Sequence, residues 1–396
     1  MFTRSEFSLI KQRIEEPRQF IQVVLGPRQI GKTTVVKQVL KASEIQSLYF
    51  SADSVGATDR FWLKSCWETA RIEYERSAKK DILLVIDEIQ KIPNWSETVK
   101  QEWDADSWNG RSVKLLLLGS SRTLVMHELS ESLMGRFEEI RMTHWTYSEM
   151  HAAYGRSLEE YIWYGGYPGP AFLIPNEVDR WKAYIQSSVI DSTINRDVLD
   201  DGHIANLPLL RKTLELGIAY SGRVLSLTKL LGQLQDRGNV STIAGYLEKL
   251  NTCGLLGTLS KYSNDVARSR ASIPKFQVHN SALSSCLSAY SFEDVRTKPA
   301  LWGYAVESAV GSYLINQSFR RRFQVSYWRE GNKEVDFVLN IQGKIIALEV
   351  KSNAEKRTAG LSAFEEKFHP YRSLIIGEGG LSLENFFTLD PVELAA

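Results

Sequence analysis

The chain has 396 residues, more than one ordinary hydrophobic core holds, and this length predicts roughly two to three domains. Hydrophobic residues make up 43% of the sequence, which excludes an intrinsically disordered chain. The 48 basic residues nearly cancel the 47 acidic ones, so the protein has no chain-wide basic field for coating nucleic acid, although a local basic groove is compatible with this balance.

The three cysteines and the N-terminal sequence indicate a cellular compartment. Cys66, Cys253 and Cys286 are far apart and lack the spacing of a zinc site, which predicts reduced thiols. The first twenty residues are charged throughout, unlike a signal peptide. No apolar run approaches the roughly 18 residues of a membrane helix. We therefore expect a soluble, cytoplasmic protein without a membrane partner.

Residues 1–155 are predicted to form the first domain. Four short apolar runs alternate with amphipathic stretches, and these runs are FIQVVLG, SLYFSAD, ILLVID and VKLLLLGSS. Continuous apolar runs of this length are typical of strands that are buried on both faces. The pattern therefore predicts an α/β domain with a parallel sheet flanked by helices.

The segment GPRQIGKTT follows the first of these runs and fits the phosphate-binding pattern G-x-x-x-x-G-K-[ST]. Its glycines let backbone N–H groups surround phosphates, and the following helix adds positive potential at its N-terminus. Lys32 is expected to reach the β- and γ-phosphates, and the Thr33 hydroxyl to bind Mg²⁺. The predicted ATP-binding residues here are Gly26, Pro27, Arg28, Gln29, Ile30, Gly31, Lys32, Thr33 and Thr34.

Two acids, Asp87 and Glu88, end the segment ILLVIDE. A carboxylate at the tip of such a strand can hold Mg²⁺, so Asp87 is a predicted metal ligand. The second carboxylate can orient and deprotonate the attacking water, which makes Glu88 the candidate catalytic base. Both motifs occur in the expected order, and together they predict ATP hydrolysis.

Polar side chains also follow the fourth run. Ser120, Ser121 or Arg122 is placed to sense the γ-phosphate, and an ordinary strand-ending turn is the alternative. Of these, we include Ser120 and Arg122 among the predicted nucleotide-binding residues.

Arg136 follows a glycine in LMGRFEEI and is a candidate arginine finger that neutralises charge in the transition state. The alternative is a surface ion pair with Glu138 or Glu139.

Residues 156–262 are predicted to form a mainly helical second region. The stretch from Leu207 onwards predicts helix, helix, short turn, helix and then strand, and this order suggests a winged helix. Its last helix carries Glu248 and Lys249 and little other charge, whereas a helix that contacts phosphates usually has several basic residues. Packing or dimerisation is therefore an alternative to DNA reading.

Residues 263–396 mix helix and strand and are predicted to form a smaller α/β domain. EVDFVLNIQGKIIALEVKS predicts a hairpin that reverses at Gly343. Asp336 lies on its first strand, and Glu349 and Lys351 lie two residues apart on one face of its second strand. Glu307 lies on the inward stripe of the preceding helix. Three carboxylates and one ammonium suit a magnesium or manganese site for phosphodiester cleavage. The alternative is a sheet edge that Lys351 closes with ion pairs.

A basic segment, FRRRFQVSYWRE, precedes this hairpin. Phosphate can be held there by Arg320, Arg321 and Arg322, while the neighbouring rings of Phe323, Tyr327 and Trp328 stack on bases. A solvated helix end is the alternative.

Four N-terminal segments, GPRQIGKTT, LLVIDEIQKIPNW, LLLLGSSR and SLMGRFEEIRMTHWTYSEM, resemble the prokaryotic archaeal-type ATPases of the AAA+ class. YIWYGGYPGPAFL and YWREGNKEVDFVLNIQGKIIALEVKS resemble the C-terminal domain of unknown function that commonly follows this ATPase. The resemblance spans nearly the whole chain and implies a restriction-endonuclease-like fold for the C-terminal domain.

The resemblance also implies roles for the C-terminal residues. The acid–x–lysine pattern of such nucleases falls on Glu349 and Lys351, the upstream acid on Asp336, and the helix acid on Glu307. This sequence departs from the family in PKFQVHNSAL, where Asn280 stands in place of the usual aspartate.

The sequence therefore predicts an ATP- and Mg²⁺-dependent ATPase with a nuclease-like C-terminal domain that acts on or binds nucleic acid. Its predicted catalytic residues are Lys32, Glu88, Arg136, Asp336, Glu349 and Lys351, and its predicted metal ligands are Thr33, Asp87, Glu307, Asp336 and Glu349. The alternative function is a nucleotide-controlled switch whose C-terminal domain binds DNA or a protein without chemistry. Candidate partners besides ATP are DNA or RNA and further copies of the chain.

Overall fold

The computed structural model describes residues 2–56, 61–77, 81–120, 125–126, 128–129, 132–195, 204, 206–234, 238–351 and 359–396. The chain forms two compact units, Met1–Met142 and Thr143–Ala396. The predicted boundaries near residues 155 and 262 stay predictions. None of the helices in these described ranges is long and apolar enough to cross a membrane.

The N-terminal unit contains a five-stranded parallel sheet with the strand order β2-β3-β4-β1-β5. Its strands are Ile21–Leu25 (β1), Gln46–Ser51 (β2), Ile82–Asp87 (β3), Val113–Gly119 (β4) and Phe137–Arg141 (β5). Its helices are Glu6–Glu15 (α1), Lys32–Ala42 (α2), Trp62–Arg76 (α3) and Trp95–Trp108 (α4). The three central strands are buried along their whole length, which confirms the predicted parallel sheet flanked by helices.

The strand register brings the predicted nucleotide-site segments to one edge of this sheet. Leu25 pairs with Gly119, and Ser51 pairs with Asp87, so the carboxyl ends of β1, β2, β3 and β4 are level. Ligands of open α/β sheets bind at such an edge.

The helical part of the C-terminal unit begins with α5 to α10. These are Tyr147–Tyr154 (α5), Leu158–Tyr164 (α6), Val178–Tyr184 (α7), Leu207–Ala219 (α8), Leu227–Leu234 (α9) and Val240–Thr252 (α10). After α10, the strands Leu256–Leu259 (β6) and Lys275–Val278 (β7) pair in antiparallel fashion, and Val224 bridges Lys275. A winged helix has this order of helices followed by a strand pair. The assignment of a winged helix stays a proposal.

The remainder of this unit surrounds a four-stranded mixed sheet with the order β11-β10-β9-β8. Its strands are Gln324–Glu330 (β8), Lys333–Ile341 (β9), Lys344–Lys351 (β10) and Arg372–Gly377 (β11). The helices here are Val266–Arg270 (α11), Ala282–Cys286 (α12), Phe292–Arg296 (α13), Pro299–Arg321 (α14), Ala359–Phe368 (α15) and Leu383–Thr388 (α16). Strands β8 to β10 form an antiparallel meander, and β11 lies parallel to β10.

The predicted hairpin of the C-terminal domain is present. Gln342 and Gly343 form its turn with φ angles of 52° and 86°. Two consecutive positive φ angles match the right-handed twist of the flanking strands, and glycine adopts this conformation without strain.

Candidate functional site

The segment that follows β1 has the backbone shape of a phosphate-binding loop. Gly31 has a φ of 88°, a conformation that favours glycine. A Cβ on Gly26 would lie 2.4 Å from the carbonyl oxygen of Met142. Both glycines of the motif are therefore required by the backbone itself, apart from any ligand.

Lys32 begins α2 and is almost fully buried. Its ammonium donates hydrogen bonds to the carbonyl oxygens of Gly26 and Pro27, each at 2.8 Å. The first backbone N–H groups of a helix lack partners within the helix and carry partial positive charge. The loop thus combines an ammonium with a helix N-terminus, which is an arrangement that favours phosphate.

The other predicted residues of the loop differ in their exposure. Gln29 and Thr34 are exposed and Arg28 is half-buried. Ile30 is fully buried in the core of the unit, and its carbonyl oxygen accepts a hydrogen bond from Arg4. Only the backbone of Ile30 can therefore face a ligand.

The loop and the end of β3 meet at Asp87. The Thr33 hydroxyl donates a hydrogen bond to Asp87 Oδ2 at 2.8 Å, so the two motifs converge although they are far apart in the sequence. Tyr49 donates to the same oxygen at 2.5 Å. Burial, and then the bond to Asp87, raises the pKa of the Tyr49 phenol, which therefore stays a donor. The sequence analysis did not single out Tyr49, although its place on the neighbouring strand was a usable signal.

Glu88 adopts a left-handed backbone conformation with a φ of 54°. Its Oε2 accepts hydrogen bonds from Ser120 Oγ at 2.9 Å and from Gln90 Nε2 at 2.5 Å. Gln90 also donates to Ser120 at 3.0 Å. A strained backbone that its neighbours hold in place is frequent at functional sites. The structure brings Glu88 and Ser120 together and adds Gln90, which the sequence analysis missed. Arg122, like Ser121, lies outside the described residues.

Arg136 makes a bidentate ion pair with Asp104 of α4. Its Nε lies 2.9 Å from Asp104 Oδ1 and its Nη2 lies 3.0 Å from Asp104 Oδ2. The hydrogen bond to Asp104 raises the pKa of Arg136. The alternative to an arginine finger was an ion pair with Glu138 or Glu139, and the observed partner lies 32 residues upstream instead. The arginine finger stays a prediction.

The acids of the C-terminal unit surround a lysine that the sequence analysis did not identify. Lys275 has no exposed surface. Its ammonium lies 2.6 Å from Glu307 Oε1, 3.2 Å from the backbone oxygen of Asp336 and 3.9 Å from Glu334 Oε1. It also lies 4.7 Å from the centre of the Phe337 ring. The centre of this cluster is therefore an internal cation.

Burial and neighbouring charges shift the pKa values of Glu307 and Lys275 in opposite directions. Burial raises the pKa of Glu307 to about 7, although the Lys275 ammonium opposes the rise. Burial acts to lower the pKa of Lys275, but the carboxylates of Glu307 and Asp336 outweigh it and the pKa is raised. Lys275 therefore keeps its charge throughout the neutral range.

The hairpin residues have separate partners. Asp336 Oδ2 accepts the backbone N–H of Val350 at 2.8 Å. Glu349 and Lys351 lie on one face as predicted, with 3.3 Å between Lys351 Nζ and Glu349 Oε1. Within the described residues, no group of three or more His, Cys, Asp or Glu side chains could hold a metal ion. The metal site of Glu307, Asp336 and Glu349 thus stays a prediction.

Asn280, the departure from the family pattern, has a structural role. Its Oδ1 accepts the backbone N–H groups of Gly166 and Ala282, each at 3.1 Å. Its Nδ2 lies 3.1 Å from His144 Nδ1. An amide can donate and accept at once, which an ionised aspartate cannot do.

The prediction that aromatic residues of the basic segment stack on bases is wrong. Tyr327 and Trp328 are each 2% exposed, and Phe323 is buried as well. Trp328 packs on Phe364 and Phe368 of α15. Arg321 pairs with Asp390 at 2.5 Å.

Three family profiles match consecutive parts of the chain. Residues 18–151 match an AAA domain. Residues 155–294 match a domain of unknown function (DUF8612), and residues 302–385 match another domain of unknown function (DUF4143).

Similar proteins cover most of the chain. An uncharacterized protein of Haemophilus influenzae is 23% identical over 362 residues, which cover 86% of this chain and 84% of the relative. An uncharacterized protein of Mycobacterium tuberculosis is 23% identical over 339 residues, which cover 84% of this chain and 70% of the relative. The Walker-type ATPase of Pyrococcus abyssi has a TM-score of 0.51 at 12% identity, over 72% of this chain and 96% of that structure. This likeness and the AAA profile support a P-loop ATPase fold.

Proposed function

We propose that this protein binds and hydrolyses ATP at the carboxyl edge of its parallel sheet. The observation that carries the proposal is the convergence of Thr33 on Asp87 at 2.8 Å, with the Glu88–Ser120 pair beside it. Lys32 and the N-terminus of α2 bind the phosphates, and Glu88 accepts the proton of the attacking water. Ser120 holds Glu88 and senses the γ-phosphate.

The residues at Asp87 suit Mg²⁺. The Thr33 hydroxyl and the Asp87 carboxylate are hard oxygen donors, which Mg²⁺ prefers, and they are adjacent. When bound, Mg²⁺ neutralises charge on the β- and γ-phosphates. Tyr49 shares Asp87 Oδ2 with Thr33 and orients the carboxylate toward the loop.

Nucleotide binding tests the first half of this proposal. Lys32→Ala removes the ammonium and is expected to abolish binding of a fluorescent ATP analogue in the presence of Mg²⁺. Lys41→Ala removes a lysine from the exposed end of the same helix and serves as the matched control. Equal affinity of Lys32→Ala and wild type would contradict the proposal.

We also propose that the C-terminal unit binds a nucleic acid or a protein without cutting it, under the control of the ATPase. The order α14-β8-β9-β10-α15-β11, with a meander and then a parallel strand, supports a restriction-endonuclease-like fold. The Lys275 ammonium favours binding over cleavage, because it pairs with Glu307, one of the carboxylates that cleavage would use for a metal ion.

Two assays separate binding from cleavage. Incubation of supercoiled DNA and of RNA with the protein and Mn²⁺ is expected to leave both intact. ATP hydrolysis with and without DNA or RNA then tests whether either is the partner. Nicking that Glu349→Ala removes would establish the nuclease instead.

A further inference from the structure

A cavity of about 630 Å³ lies in the C-terminal unit, and neither Lys275 nor the acids around it are among its lining residues. Side chains of α6, α8, α12 and the first turns of α14 line it. Cavities of roughly 300–1,000 Å³ hold small molecules. Its size is therefore that of a ligand site.

The base of this cavity is apolar and fixed. Trp163, Ile218 and Val295 line it, and all three belong to the buried core of the unit. Leu301 also lines it and packs against the same core. Since these side chains are packed into the hydrophobic core, the cavity is pre-formed and suits the apolar or aromatic part of a ligand.

One end of the cavity carries an oriented cation. The Arg223 guanidinium lies over the Tyr304 ring, 4.2 Å from its centre, and both residues are exposed. Arg223 forms no ion pair with any residue that the structure describes. Stacking on a ring restricts the guanidinium plane and leaves its N–H edge available for an anion.

A second polar group in the wall lacks a partner. Ser284 Oγ is buried, and it makes no hydrogen bond within the described ranges. A buried hydroxyl that lacks a partner is costly, and native proteins rarely retain one. This oxygen has almost no contact with solvent, so a ligand in the cavity would reach it only after rotation of the side chain.

The remaining charge in the lining limits the charge of the ligand. Glu215 is exposed, and among the described residues it has no ion-pair partner. Its carboxylate repels a second negative charge. Arg223 and Glu215 are the charged residues that line the cavity, so a ligand with one negative group and an apolar body is complementary.

We propose that this cavity binds a small amphipathic monoanion, with its carboxylate, sulfonate or phosphate-ester group on Arg223 and its apolar body on Trp163 and Ile218. The site is separate from the proposed ATP site and contains no group placed for catalysis among the lining residues. Its occupant is a metabolite or effector of this chemical class.

Calorimetry on the full chain tests the proposal with 1-naphthalenesulfonate and the neutral 1-naphthalenemethanol. The sulfonate is expected to bind with one-to-one stoichiometry and more tightly than the alcohol. Arg223→Gln should lower the affinity for the sulfonate about tenfold or more, because it removes a charge-assisted contact. The affinity for the alcohol should stay unchanged. Glu215→Gln, the matched control of opposite sign, should bind the sulfonate as tightly as wild type or more tightly.

Three results would overturn the proposal. They are no binding of the sulfonate to wild type, equal affinity of Arg223→Gln and wild type for it, or one-to-one binding that survives Ala305→Trp, which fills the cavity. Circular dichroism checks that each variant folds, and Arg223→Gln decides the matter if Ala305→Trp does not fold. ATP hydrolysis by Arg223→Gln is expected to equal that of wild type, so failure here is distinguishable from failure of the ATPase proposal.

Discussion

Removal of the Lys275 ammonium gives the most demanding prediction about the C-terminal unit. Lys275→Met keeps most of the apolar stem and leaves Glu307 without the partner that lies 2.6 Å away. Breaking a buried ion pair by removing one member costs about 3–5 kcal/mol, since the other charge stays buried. We expect a loss of this size at pH 8, where Glu307 must be ionised or bind a proton at a cost.

The loss should depend on pH in a defined direction. Burial raises the pKa of Glu307 to about 7 in the folded protein, against an ordinary value of 4.5. An acid whose pKa is higher in the folded state binds more protons there than in the unfolded state. Its contribution to the stability of the fold therefore falls as the pH rises between these two pKa values. Without Lys275 the pKa of Glu307 rises further, and the decrease in the free energy of unfolding then extends above pH 7.

Urea unfolding at pH 5.5 and pH 8 measures both effects. Lys229→Met, on the exposed face of α9, is the matched control and should change the free energy of unfolding by less than about 0.5 kcal/mol. Lys275→Met combined with Glu307→Leu should recover much of the loss, because no unpaired charge stays buried. A single Lys275→Met variant as stable as wild type at pH 8 would refute the reasoning.

Three further predictions concern the N-terminal unit. If Arg136 is an arginine finger, Arg136→Ala should lower the rate of ATP hydrolysis about a thousandfold, and Asp104→Ala should not lower it. If the Arg136–Asp104 pair is purely structural, neither substitution should change the rate. Gln90→Ala should lower the turnover number about tenfold with nucleotide affinity unchanged, because it loosens the general base Glu88; an unchanged turnover number would exclude this positioning role. Tyr49→Phe should cost about 1.5 kcal/mol in thermal unfolding, through the lost bond to a carboxylate, and no change would show that this bond contributes nothing.

The parallel sheet could be predicted because its signal is local. Strands β1 to β4 each contain a short apolar run, although β2 lies half-buried at one edge of the sheet. Strand β5 was missed, because FEEIR has three charged residues and no continuous apolar run, and it lies half-exposed at the edge of the sheet. The meeting of Thr33 with Asp87 agrees with the prediction of both residues as Mg²⁺ ligands.

The long-range ion pairs could not be predicted. Arg136 has nearby acids in sequence, but folding brings α4 beside it and Asp104 supplies the better geometry. Lys275 is the first residue of the short strand β7, and from the sequence it resembles an ordinary solvated strand end. Its environment is assembled from α14 and β9, which lie 32 and 61 residues away. The one available signal was Glu307 on an apolar helix stripe, which requires a buried cation.

A comparison of ATP hydrolysis by Glu88→Gln and by wild type tests whether Glu88 is the catalytic base. The substitution keeps the size of the side chain and an oxygen that can accept from Ser120, but it removes the base. We expect unchanged Mg²⁺-ATP affinity and a steady-state rate lower by at least about a hundredfold. A Glu88→Gln protein that hydrolyses ATP at the wild-type rate would contradict the assignment of Glu88 as the catalytic base.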